Sequence, residues 1–265
     1  MMTCLLSLVR LLSVPFDGGA NMRGAASAPA LIHDALKTSG FAAEHHLINH
    51  TQALPMLRDT YYEAYRALDA GRTVCTLGGD HAVAIGSVAA ASDVSRSLRE
   101  KLGVVWIDAH ADFNTPETSP TQNVHGMVVA VLCGHCLHPL QFGNGLECHQ
   151  VAYFGLRDVD ALEFGRLQEH SMAVLGNVDE LEDWIERFDV LHVSFDMDVC
   201  DPSIAPGVST PVADGLRYLE PLLSVLRDSG KVRSMDCVET NPSQDVGGLT
   251  VTLAADIIQH LLRRR

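Results

Sequence analysis

Positive charge is scarce in this chain: 19 Lys and Arg stand against 33 Asp and Glu, a net charge of −14 over 265 residues. A nucleic-acid partner would want a basic stripe, so the balance argues against one. It is compatible with a small cationic substrate. Long apolar runs are missing too. The opening "MMTCLLSLVRLLSVPF" is interrupted by Arg10 and too short to span a bilayer, and no later segment is long and apolar enough for a membrane helix. The opening reads better as a first β-strand feeding a loop at "PFDGGANMRGAASAP" than as a secretory signal. Linker-like stretches, low-complexity tracts and solenoid repeats are absent, so one domain over residues 1–265 is expected. Cysteine is present, but seven thiols in a chain of ordinary size point to reduced side chains and a cytoplasmic protein rather than a disulfide scaffold.

Five short apolar runs end abruptly in Gly or charge: "TVCTLGGDH" (73–81), "GVVWIDAHAD" (103–112), "VAYFGLRDVD" (151–160), "VLHVSFDMDV" (190–199) and "KVRSMDCVET" (231–240). Helical patterns separate or follow them, at residues 57–71, 178–188, 216–230 and 250–265. Strands buried on both faces read as continuous apolar runs, and their alternation with helices predicts a three-layer αβα sandwich around a mostly parallel sheet. The polar clusters all fall at the C-terminal ends of these strands, where open α/β sheets place their ligand crevice.

In "WIDAHADFNT" the strand runs into two carboxylates and an imidazole at alternating positions. In extended backbone the side chains of Asp108, His110 and Asp112 share one face. Unpaired carboxylates cost free energy to desolvate, so convergence of such groups points to a cation. His81 after "LGGD", and Asp196 and Asp198 in "SFDMD", extend the set to two imidazoles and four carboxylates. Six protein ligands exceed what one catalytic ion needs while keeping an open position, and suit two ions bridged by carboxylates, Asp112 among them. Four Asp balance two divalent cations. Oxygen-rich ligation without thiolate favours two Mn²⁺ over Zn²⁺ or Fe²⁺. Asp80 is a candidate to orient a ligand.

Four segments then carry a resemblance: "GGDH" (78–81), "DAHADFNTPETSPTQNVHG" (108–126), "SFDMDVCDPSIAPGVSTP" (194–211) and "ETNP" (239–242). Together they resemble the ureohydrolase (arginase/agmatinase) family, and within it the arginases, in order from about residue 73 to the C-terminus. The resemblance implies a binuclear manganese centre, hydrolysis of a guanidino group to urea, and assembly as a trimer or hexamer. It places Asn114 and Asn123 near the α-carboxylate and α-amino end of an amino-acid substrate, and Asp160 on the α-amino group with Glu163 beside it. Glu239 matches the glutamate that pairs with the guanidinium, a pairing that can be bidentate. Where arginases usually read Ser-Gly, this chain has Thr121-Gln122: the hydroxyl is kept, but Gln adds bulk that bears on substrate size. Thr240 replaces a usually apolar residue. In the implied chemistry, Asp112 carries the proton to the leaving amine, His125 shuttles protons to or from solvent, and Thr210 hydrogen-bonds near the metals. Agmatine, guanidinobutyrate or formiminoglutamate as substrate is the nearest alternative; a silent, binding-only relative is another.

Other features are expected to be structural. "CGHC" (133–136) has dithiol form but lacks a thioredoxin-sized βαβ unit, and a zinc clip with His138, Cys148 and His149 is its alternative reading. Cys200 is read as structural, and "EHHLINH" (44–50) as a solvated strand or loop.

Overall fold

The computed structural model describes residues 9–136 and 142–263. Its eight strands are β1 (Val9–Val14), β2 (Ala43–Leu47), β3 (Val74–Gly78), β4 (Leu102–Ile107), β5 (Val151–Phe154), β6 (Ala173–Leu175), β7 (Val190–Asp196) and β8 (Val232–Val238). They form one sheet in the order β2-β1-β3-β8-β7-β4-β5-β6. Every pairing between these strands is parallel. The helices are α1 (Ala28–Thr38), α2 (Ala53–Asp69), α3 (Ala84–Leu98), α4 (Val128–Leu132), α5 (Ala161–Glu169), α6 (Val178–Ile185), α7 (Glu220–Asp228) and α8 (Leu249–Leu262).

The period-2 alternation of a strand explains the layers. Along β4, Val104 and Trp106 enter a core shared with α2, α3 and α4, whereas Val105 and Ile107 enter a second core with α1, α6, α7 and α8. Both faces of the strand are buried, so its sequence shows no polar side. This is the expected three-layer sandwich. The first-strand expectation holds for β1; residues 1–8 lie outside the described residues. The helix expected over 216–230 begins only at Glu220, because the Leu216 backbone pairs instead with Val199 and Asp201. No helix among the described residues is long and apolar enough to cross a membrane.

Candidate active site

The four central strands β3, β8, β7 and β4 end at one rim. His81 opens the turn after β3, Asp108 follows β4, Asp196 ends β7, and Glu239 follows β8. The expected extended geometry of the Asp108–His110–Asp112 triplet is not what brings it together. β4 stops at Ile107, Asp108 Oδ1 accepts the His110 backbone N–H at 2.7 Å, and Asp112 lies in the left-handed region at φ 50°. The same device folds the other ends: Asp196 Oδ1 accepts the Asp198 N–H at 2.8 Å, and Asp80 Oδ1 accepts the Ala82 N–H at 3.0 Å. Each is a short Asp side chain mimicking a backbone turn. Asp80 thus anchors backbone, including the Gly19 N–H at 2.5 Å, rather than orienting a ligand side chain.

Two nests result. His81 Nδ1 lies 3.0 Å from Asp112 Oδ2 and 3.2 Å from both Asp108 Oδ2 and Asp196 Oδ2. His110 Nδ1 lies 2.9 Å from Asp198 Oδ2 and 3.6 Å from Asp108 Oδ1. Asp108 therefore turns one oxygen to each nest. Asp112 turns Oδ2 to the His81 nest. Thr210 Oγ1 donates to Asp198 Oδ2 at 3.1 Å.

The donors fit divalent cations. His81 Nδ1 and Asp112 Oδ2 are buried with no hydrogen-bond partner, although His81 Nε2 sits 2.8 Å from Ser194 Oγ. If that Nε2 carries the proton, the Nδ1 lone pair faces three carboxylates, an arrangement that makes sense around a cation. Burial and the neighbouring charges push the Asp112 and Asp196 carboxyls up, and Asp198 to about 6. Burial would lower His110, but the Asp108 and Asp198 carboxylates beside it raise it to about 12. Without cations the nests hold protons instead, which bound cations would displace.

The nests open into a cavity of about 220 Å³ lined also by Asn114, Thr121, Asn123, His125, Asp160 and Glu163. That is a small-molecule cleft, below the roughly 300–1,000 Å³ of drug-sized sites. Glu239, at φ 61°, accepts the His81 N–H at 2.8 Å on Oε1, and His125 Nδ1 lies 2.9 Å from the same oxygen. Burial lowers the His125 pKa, but the Glu239 contact outweighs it and holds the imidazole at about 9. Glu239 Oε2 is buried and unpartnered. At the outer end, Asn114 Nδ2 donates to Asp160 Oδ2 at 3.2 Å, and Glu163 Oε1 accepts the Phe113 N–H at 2.7 Å. Burial pushes the Glu163 carboxyl up to about 7, with Asp112 and Asp160 adding to the shift. Gln122 does not crowd the cleft as expected. At φ 61° its side chain turns back and donates to the Pro116 and Ser119 carbonyls, both at 2.8 Å. The left-handed backbone gives a reason for glycine at this position, and Gln occupies it by bonding its own loop.

A model of the Arginase family matches residues 7–263. The chain belongs to the arginase family. It is 36% identical over 217 residues to an arginase of Coccidioides posadasii, covering 73% of this chain and 66% of that one. It is 30% identical over 298 aligned positions to an arginase of Schizosaccharomyces pombe, covering 95% and 90%. The crystal structure of Bacillus subtilis arginase superposes with a TM-score of 0.88 at 28% identity, over 97% of this chain and 99% of that one.

Several residues that position the site in this arginase-family chain escape sequence reasoning. Trp106 stacks on His81 at 4.3 Å and donates from Nε1 to Asp108 Oδ2 at 3.0 Å. Ser194 stands two residues before Asp196 on the same strand face, a spacing that could have flagged it. Arg157 donates from Nη2 to the carbonyls of Asp198 and Val212 at 2.6 and 3.0 Å, a role with no local sequence signal. Asp158 Oδ2 lies 3.6 Å from His110 Nε2. Away from the cleft, the "CGHC" thiols separate: Cys136 packs into the core, while Cys133 stays beside Cys148. His149 is exposed, and His138 lies outside the described residues. Cys200 is buried in the core, and "EHHLINH" contributes edge strand β2.

Proposed function

We propose that this protein is a metal-dependent arginase, hydrolysing L-arginine to L-ornithine and urea. The observation that carries the reading is Glu239 Oε2, a buried acceptor without a partner in the wall of the cleft that holds both nests. Such an oxygen calls for a cationic donor, and a planar guanidinium supplies one. His81, Asp108, Asp112 and Asp196 would hold one cation, and Asp108, His110 and Asp198 the other. Two bound divalent cations, Mn²⁺ by the oxygen-rich donor set, would supply hydroxide at neutral pH and stabilise developing charge.

The chain's own residues do the rest. Glu239, its Oε1 fixed by the His81 N–H and His125, orients the guanidinium so that its carbon faces the nests. Asp112, facing the His81 nest, takes a proton and returns it to the leaving amine. His125, partly exposed beside Glu239, exchanges that proton with solvent. Thr210 holds the Asp198 carboxylate in place. Asn114, Thr121 and Asn123 receive the α-carboxylate, and Asp160 and Glu163 the α-ammonium.

A substrate panel on Mn²⁺-reconstituted protein tests this. Arginine should exceed agmatine in kcat/KM by several kcal/mol of transition-state stabilisation, since each lost charge-assisted hydrogen bond costs about 1.5–3 kcal/mol. Comparable values for the two substrates would overturn the arginine assignment while leaving the family intact.

A further inference from the structure

A second group of metal-ligating side chains lies outside the cleft. Cys133 caps the end of α4, His135 follows it, Cys148 opens the turn before β5, and His170 caps the end of α5. Three separate pieces of chain thus bring two thiols and two imidazoles together. One ligand atom each of His135, Cys148 and His170 lies within 4.8 Å of the others. His135 Nε2 is 3.2 Å from Cys148 Sγ, and the two imidazole rings lie 3.9 Å apart between centroids. Cys133 lies beside Cys148. Tetrahedral zinc, with bonds of about 2.0–2.1 Å to nitrogen and 2.3 Å to sulfur, puts those atoms about 3.5 Å apart. The observed 3.2 Å is within a few tenths of that spacing.

We propose that His135, Cys148 and His170 form a site for a soft divalent cation, zinc foremost, which Cys133, beside Cys148 but outside the three-residue cluster, would complete on binding. Two imidazoles and up to two thiolates are a zinc donor set and a poor one for Mn²⁺, which prefers oxygen. The two centres therefore differ in donor chemistry, sulfur and nitrogen in one and mostly oxygen in the other. The site also touches the cleft. Both imidazoles pack edge-on against Phe113, at 5.6 and 5.7 Å, and Phe113 lies between Asp112 and Asn114. A cation here would pin α4, α5 and the turn before β5 behind that loop.

The proposal does not depend on the reaction proposed above, and its test reads something the cleft cannot produce. Fully reduced protein, with the cleft loaded with Mn²⁺, is titrated with Co²⁺ and watched for a thiolate-to-cobalt charge-transfer band. The oxygen and imidazole donors of the cleft include no thiolate, so any such band belongs elsewhere. The band should saturate at one Co²⁺ per chain, disappear on adding Zn²⁺, be lost in Cys148→Ser, and weaken in His170→Gln. It should persist in Asp198→Asn, which damages only the cleft. Bound Zn²⁺ should also slow modification of Cys148 by a thiol reagent at least tenfold in the wild-type chain. No band in the reduced wild-type chain, or a band that survives in both Cys148→Ser and Cys133→Ser, overturns the site.

Discussion

At the scale of single residues, the division of labour among the carboxylates is the sharpest outcome. Asp108 turns one oxygen to each nest, and Asp112 faces only the one around His81. Asp108→Asn should therefore weaken both cations, and Asp112→Asn only one. Elemental analysis after dialysis separates these cases, and equal loss from the two variants would contradict the geometry. His125→Asn should keep both cations, since His125 touches Glu239 rather than a nest, yet slow turnover by a factor on the order of 10² to 10⁴. Added imidazole should restore part of the rate; wild-type turnover in the variant would remove the shuttle role. Glu163 gives a pH signature. Its folded-state pKa of about 7 lies above the ordinary 4.5, so the buried carboxyl detracts from stability as pH rises from about 4.5 through 7. A bound α-ammonium would pull that value back down, so ligand binding should release a proton near pH 6.5 and none near pH 9. Calorimetry of L-ornithine binding in buffers of different ionisation heat measures this, and release that persists in Glu163→Gln would assign the proton elsewhere. The identities of these residues could be read from the sequence. Their convergence at the strand ends was legible too, but not how it arises: Asp-to-backbone turns and a left-handed Asp112 bring them together, where alternation suggested a strand.

At the scale of elements, legibility followed burial. β7, buried along its whole length and ending in Asp196, was plain as an apolar run stopped by charge. β2 is an edge strand whose "AEHHL" is half exposed, and β6 has three residues, so neither carries a pattern that separates it from a loop. α3 hid for the opposite reason: most of its side chains are buried, leaving little polar face to mark a helical period. The turn after β3 shows how closely these elements approach. A Cβ on Gly79 would stand 1.9 Å from the Phe16 carbonyl oxygen, which is backbone and cannot rotate away. The same turn receives the Glu239 N–H on the Gly79 carbonyl at 2.8 Å. Gly79→Ala should accordingly cost about 3 kcal/mol, the upper end of overpacking penalties. Denaturant midpoints would show it, and a change under ~0.5 kcal/mol would mean that the turn relaxes freely.

At the scale of the whole molecule, the nests place four buried Asp beside each other at the centre of the sheet, in a chain that already carries a net charge of −14. Removing cations with a chelator should lower the thermal midpoint, and Mn²⁺ should restore it. An unchanged midpoint would show that protons alone satisfy the cluster. The strand order adds a consequence for how the protein is made. β3 and β4 follow one another in the chain but stand apart in the sheet, with β8 and β7 between them. A ribosome therefore delivers His81, Asp108, His110 and Asp112 well before the two strands that set their spacing. A nascent chain that stops short of β7 lacks Asp196 and Asp198, and one that stops short of β8 lacks Glu239. Cation capture then falls at the end of folding, once the last strands slot into the middle of the sheet, and an unfinished chain is left unable to assemble the centre.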